Sequence, residues 1–274
     1  MVGVVSGLDV RPLGGRLGAQ VLGAGPLADL GRGALDDLRT ALLRHKVLAL
    51  RDQHLGAAEH HAFLARFAGG ATPSAPAATA PAWDAADGEP LGRWVCPDSF
   101  RLAPPRTVSL RTTGPDVAGE CSIFADLTGA YRDLPRPLRV MADSSWAVHG
   151  EHPGDERAAT AAVHPVTRLH TETGDRGLLL GAHARSLIGP GAARSRTVLP
   201  LLRSYLTRPH NLLRWDWREG DVLLVDARAV QHRVRAGRRP GPDTTAALQT
   251  PGDPPLGVDG RHSHHLGRRA ALSA

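Results

Sequence analysis

Three short apolar runs bounded by turn residues constrain the fold of this chain more than any other feature. They are Val47–Leu50 (VLAL), Gly177–Gly181 (GLLLG) and Asp221–Val225 (DVLLV). Each is too short for a core helix and reads as a buried strand. Arg106–Thr112 (RTVSLRT) alternates in part, and Cys121–Phe124 adds another apolar piece. Helices are expected around them. Gly33–His45 carries Leu35, Leu38, Leu42 and Leu43 at helical spacing, and Asp36 and Asp37 near its start suit the helix dipole. Ala57–Phe67 sets Phe63, Leu64 and Phe67 on one face, and Ala130–Val148 and Leu199–Leu206 read as further helices. Helices first and short strands after suit an α+β fold built on a jelly roll.

At 274 residues, 42% hydrophobic and 22% charged, the chain has material for one sizeable core. We expect a single domain over residues 1–274. Within it, residues 69–92, rich in Ala, Pro and Gly, are expected to form a mobile loop or lid, and 257–274 a tail. Two cysteines, Cys96 and Cys121, cannot build a disulfide framework or a thiolate zinc site. No apolar run reaches membrane-spanning length, and the N-terminus lacks the pattern of a signal peptide. A cytoplasmic protein without a membrane partner is expected. The formal charge is +6, but Lys46 is the only lysine and the arginines are mostly interleaved with acidic residues. Aromatics at 4% leave no stacking surface for single strands, so no nucleic-acid partner is expected. The expected partner is a small-molecule substrate, with homo-oligomerisation left open.

Several stretches, in order and over nearly the whole chain, resemble the taurine dioxygenase (TauD/TfdA-like) family. They are Leu8–Gly23, Val47–Gln53, Trp94–Phe100 (WVCPDSF), Pro104-Pro105, Gly119–Asp126 (GECSIFAD), His164–Gly174 (HPVTRLHTETG), Trp217–His232 (WREGDVLLVDARAVQH) and Gly252–Pro255. The resemblance implies a double-stranded β-helix with helices packed outside its sheets. It also implies Fe(II) held by two histidines and one carboxylate, with positions left for 2-oxoglutarate and oxygen. An arginine is implied for the co-substrate's distal carboxylate, which its fork matches bidentately.

The chain departs from that pattern where the chemistry is carried. The family writes Trp-His-x-Asp-x-Ser/Thr-Phe, and this chain has Trp94, Val95, Cys96, Pro97, Asp98, Ser99 and Phe100. Trp94 and Phe100 keep the family's separation, so Val95 stands for the histidine and Pro97 for the aspartate. Neither donates to a metal. His232 matches the remaining histidine. Cys96 and Asp98 repeat the i, i+2 spacing of His-x-Asp, but using them needs a one-residue slip or a bulge near Pro97. Aligned back from Gly252-Asp253, Ala247 and Asp243 stand at the arginine positions. Ser122 matches a co-substrate hydroxyl, and Arg233, Arg235, Arg238 and Arg239 are the arginines of the preceding loop.

The expectation is therefore a protein of this fold with no metal and no cofactor. It would work non-oxidatively on a small molecule of specialised metabolism, by cyclisation, isomerisation, elimination or condensation. His232 is the expected acid or base, with Asp98 and Cys96 as further catalytic candidates. Trp94, Val95, Ser122 and Arg233 are expected to line the substrate. Two alternatives stay open: an Fe(II)/2-oxoglutarate oxygenase with a Cys96, Asp98 and His232 site, and a binding or partner subunit without catalysis. Plainer readings stand beside these. His232 also reads as an ordinary strand histidine, His164 and His170 as structural, Cys96 as a small buried side chain, and Arg261–His265 as a solvated cluster.

Overall fold

The computed structural model describes residues 4–5, 8–76, 94–115, 117, 119–151, 161–189, 192–233 and 245–267. The strands are β1 Val4–Val5, β2 Leu8–Pro12, β3 Ala19–Leu22, β4 Val47–Leu50, β5 Trp94–Val95, β6 Thr107–Thr112, β7 Cys121–Asp126, β8 Trp146–His149 and β9 Ala162–Pro165. They continue as β10 Thr167–Leu169, β11 Arg176–Leu178, β12 Ala184–Leu187, β13 Leu212–Asp216, β14 Val222–Asp226, β15 Val230–Arg233, β16 Thr245–Gln249, β17 Leu256–Gly257 and β18 His264–His265. The α-helices are α1 Arg32–His45, α2 Ala57–Phe67, α3 Leu127–Arg132, α4 Arg136–Asp143 and α5 Ala192–Leu206. A large sheet runs β1-β2-β3-β4-β14-β6-β16, and a four-stranded one β13-β7-β15-β5. Smaller sheets run β12-β8-β9-β18 and β11-β10-β17. Sheets with a few helices make this an α+β protein.

The alternation of β4 and β14 builds two cores. Val47, Ala49, Leu223 and Val225 turn inward and pack with Phe124, Leu213, Trp215 and Val230 of the four-stranded sheet. Leu48, Leu50, Val222 and Leu224 turn outward onto Leu35, Leu38, Phe63 and Leu64 of α1 and α2. Burial on both faces is why these strands read as unbroken apolar runs. α1 ends where Lys46 takes a left-handed φ of 65°, its N–H bonding Leu42 O. The Lys46 side chain is buried, and its Nζ donates to both carboxylate oxygens of Asp126 at 2.8 and 2.7 Å and to the Thr128 hydroxyl.

Three expectations change. The helix expected over Ala130–Val148 is broken: α3 ends at Arg132, Pro135 caps α4, and Trp146–His149 is strand β8. Pro135 biases Leu134 away from helical geometry, which restarts the helix in a new direction. Gly177–Gly181 is strand only to Leu178; beyond it Gly181 lies against the Cys96 backbone, where an added Cβ would meet Cys96 N at 2.6 Å. Of the expected loop, residues 77–92 lie outside the described residues, while Ser74 is bridged to Gln249 of β16 in both directions, at 2.9 and 2.8 Å. The expected tail is tied in as far as Gly267: β18 pairs with β9, Ser263 N–H bonds Pro255 O, and Leu266 is buried. Among the described residues, no helix is long and apolar enough to cross a membrane.

Candidate functional site

β15 lies between β7 and β5, and His232 is paired with Phe124 on one side and Val95 on the other. Directly opposed residues share a face. Phe124 belongs to the core between the sheets, so His232 and Val95 stand side by side on the inner face. No slip occurs in β5: Val95, not Cys96, faces the histidine. Burial pushes the His232 imidazole down to about 4, so it is neutral near pH 7. Ser122 lies two residues before Phe124 and shares this face, where its Oγ accepts the Trp217 Nε1–H at 2.9 Å.

Three candidates point elsewhere, and the expectation for them is corrected. Cys96 belongs to the separate core of Leu127 and Leu178–Leu180, with its Sγ 3.7 Å from Gln231 Oε1. Burial pushes its thiol up to about 11, which suits neither a nucleophile nor a metal ligand. Trp94 and Arg233 oppose each other one residue away from Val95 and His232, hence on the other face, with the guanidinium 5.9 Å from the indole ring. Period-two alternation sends all three side chains away from the histidine. Arg235, Arg238, Arg239 and Asp243 lie outside the described residues.

Asp98 does reach the inner side, by a different route from a slip. It sits in the turn after β5 with φ 45°, a left-handed value that non-glycine residues seldom adopt. Its carboxylate accepts the Gln249 Nε2–H at 2.8 Å, and Arg101 Nε lies 3.5 Å away. Gln249 opposes Val108, an inner-core residue. The Asp98–Gln249 bond therefore joins the turn after β5 to β16, the edge strands of the two sheets. Sequence reasoning missed Gln249. Its signal was a polar amide closing the strand TAALQ.

Buried histidines hold the turn in place. His164 Nε2 lies 2.8 Å from Ser99 O and 3.1 Å from Arg101 O, so that nitrogen carries the proton and donates. Its Nδ1 then accepts from the Ser263 hydroxyl at 2.7 Å. Ser99 Oγ lies 3.2 Å from His183 Nδ1 and 3.3 Å from His149 Nδ1. A second network joins the His164–Gly174 and Trp217–His232 stretches. Asp226 accepts from His170 Nε2 at 2.9 Å and from Arg228 Nε and Nη2, each at 2.9 Å, while Arg228 also pairs with Glu172. Burial alone would raise the Asp226 pKa, but the His170 and Arg228 hydrogen bonds outweigh it and hold the carboxyl well below its usual range.

Comparison with known proteins places this geometry. The model of the taurine catabolism dioxygenase TauD, TfdA family matches residues 9–244. The chain belongs to the TauD, TfdA family. It is 32% identical to an α-ketoglutarate-dependent sulfate ester dioxygenase of Pseudomonas putida over 282 aligned residues, 93% of each chain. It is 33% identical to an alkylsulfatase of Acinetobacter baylyi, over 82% of this chain and 79% of that one. A crystal structure of a taurine dioxygenase from Burkholderia xenovorans superposes with a TM-score of 0.80 at 27% identity, covering 97% of this chain and 98% of that one.

These TauD-family relatives overturn two expectations. The reading as a non-oxidative, metal-independent protein fails, because the similarity to an α-ketoglutarate-dependent dioxygenase runs the length of the chain. The expectation of no cofactor fails on the same finding. Changed residues at two ligand positions do not by themselves announce a changed reaction. The inner face offers the His232 imidazole and, across from it, an isopropyl group. Among the described residues, no three His, Cys, Asp or Glu side chains come together to hold a metal ion. The described residues therefore do not complete the donor set that the family resemblance implies.

Proposed function

We propose that this protein is an α-ketoglutarate-dependent oxygenase acting on a small organic molecule, with sulfate esters as the first substrate class to try. One observation carries the reading: the similarity to the Pseudomonas putida sulfate ester dioxygenase over 93% of both chains. The large and four-stranded sheets, packed inner face to inner face, are read as the family's jelly roll within one domain, with α1 and α2 outside it. At the inner face, the neutral His232 ring gives or takes a hydrogen bond, and Ser122, already accepting from Trp217, keeps its own O–H to donate. Phe124 and Val95 flank His232 with apolar side chains.

The test supplies the full chain with Fe(II), α-ketoglutarate, oxygen and a panel of alkyl sulfates, and follows succinate formation and sulfate release. Succinate formed only in the presence of an alkyl sulfate is the expected result. No consumption of α-ketoglutarate with any member, in protein that retains no iron, overturns the reading.

A further inference from the structure

We propose that Gln249 and Asp98 form a binding subsite for a hydrogen-bond donor, a hydroxyl or an ammonium, carried by the small molecule that this protein takes. The inference rests on the small-molecule reading above and adds the chemistry that recognises the substrate. β16 sends Thr245, Ala247 and Gln249 to the inner face, since Ala247 and Gln249 oppose Leu110 and Val108 of the inner core. Thr245 and Ala247 are half-buried, whereas Gln249 is 6% exposed. The row thus leads from accessible positions to a closed end.

At that end the amide is fixed on both sides. Its Nε2–H donates to Asp98, and the reverse orientation would turn the amide oxygen onto a carboxylate, so the contact decides which atom is oxygen. The Gln249 backbone is held by Ser74 through two hydrogen bonds. What remains is Gln249 Oε1, buried and with no hydrogen-bond partner. An acceptor sealed from water without a donor is destabilising and rare in native proteins, so it calls for a partner. The group beside it is the buried Asp98 carboxylate, held in a left-handed backbone conformation of the kind that concentrates at ligand sites. An unpaired amide carbonyl takes a donor, and the Asp98 carboxylate beside it, which Arg101 Nε approaches to 3.5 Å, is acceptor-only and gives none. Ala247, next in the row, has no side-chain donor to offer it.

The test measures binding to the full chain by NMR titration, with probes matched in length. One set is hexyl sulfate, 6-hydroxyhexyl sulfate and 6-aminohexyl sulfate; the other is hexylamine and hexanoate. Wild type is expected to bind the donor-bearing probes at least about tenfold more tightly than their partners, as a hydrogen bond to a buried or charged group allows. Gln249→Leu is expected to erase that difference. Gln249→Glu, which keeps the shape and adds charge, is expected to keep the preference for ammonium and serves if the leucine variant fails to fold. Equal binding across either set overturns the proposal, as does a preference unchanged in Gln249→Leu. A saturated complex in which Oε1 meets only an ordered water overturns it too. The sulfate-free pair separates this outcome from the oxygenase reading: hexylamine can outbind hexanoate whether or not α-ketoglutarate is consumed.

Discussion

Val95 and His232 are Cα partners across β5 and β15, so the identity of residue 95 sets what the histidine can share. Val95→His places a second imidazole on the same face, and Co(II) absorbance should report binding at least about tenfold tighter than in wild type. Unchanged cobalt affinity would mean that this pair of positions is not a metal locus. The thiols give a second check. Cys96 is 1% exposed and its pKa is pushed up by burial, while Cys121 is half-buried. Native protein should expose at most one thiol to a disulfide reagent at pH 8, and prompt reaction of Cys96 would contradict its placement. At this scale the sequence carried the site unevenly. The Trp94–Phe100 separation put Val95 at the ligand position, and strand pairing sets it opposite His232. It left open where Cys96 points and concealed Gln249, whose partner Asp98 lies 151 residues away in the chain.

Elements meet where the family segments meet, and this explains why those segments are recognisable. Gly252 packs on the Pro104-Pro105 segment so closely that an added Cβ would lie 1.8 Å from Pro104 O. Arg106 and Asp253 pair beside it at 2.7 Å. Gly252→Ala must displace backbone, and a destabilisation of about 2 kcal/mol or more is expected from the urea midpoint. A variant as stable as wild type would show that the two segments separate freely. α1, α2, β4 and β14 were legible because their periodicity agrees with their burial. The stretch from Ala130 to Val148 was misread because its apolar content suits either helix or strand, and only the prolines mark the break.

Acid should loosen the whole molecule before it reaches the carboxylates. Burial holds His60 and His164 down to about 4, and His149 well below 6.5. An unfolded histidine takes up its proton near 6.5. Between about pH 6.5 and 4 the unfolded chain thus binds more protons than the native one, so stability falls as pH falls and levels off once the folded groups titrate. Each such histidine costs about 2 kcal/mol by pH 5. Asp133, held down to about 2 by its hydrogen bonds from Arg16, His210 and Asn211 against the opposing effect of burial, adds a further loss below about pH 4. A melting temperature unchanged between pH 7 and 5 would contradict the neutral histidine cluster.

The buried Lys46–Asp126 pair has a practical consequence for anyone handling this protein. Lys46 is the only lysine in the sequence and lies 5% exposed, with its amine turned onto a carboxylate. The folded surface therefore presents no side-chain amine to acylating dyes, crosslinkers or immobilisation resins. Modification at this position should wait until the core around α1 and β7 opens, and then occur once per molecule. The rate of acylation at Lys46, read by intact mass with dye in excess, should track the unfolding equilibrium as urea is raised. Rapid labelling of Lys46 in native buffer would show that the end of α1 opens without the rest.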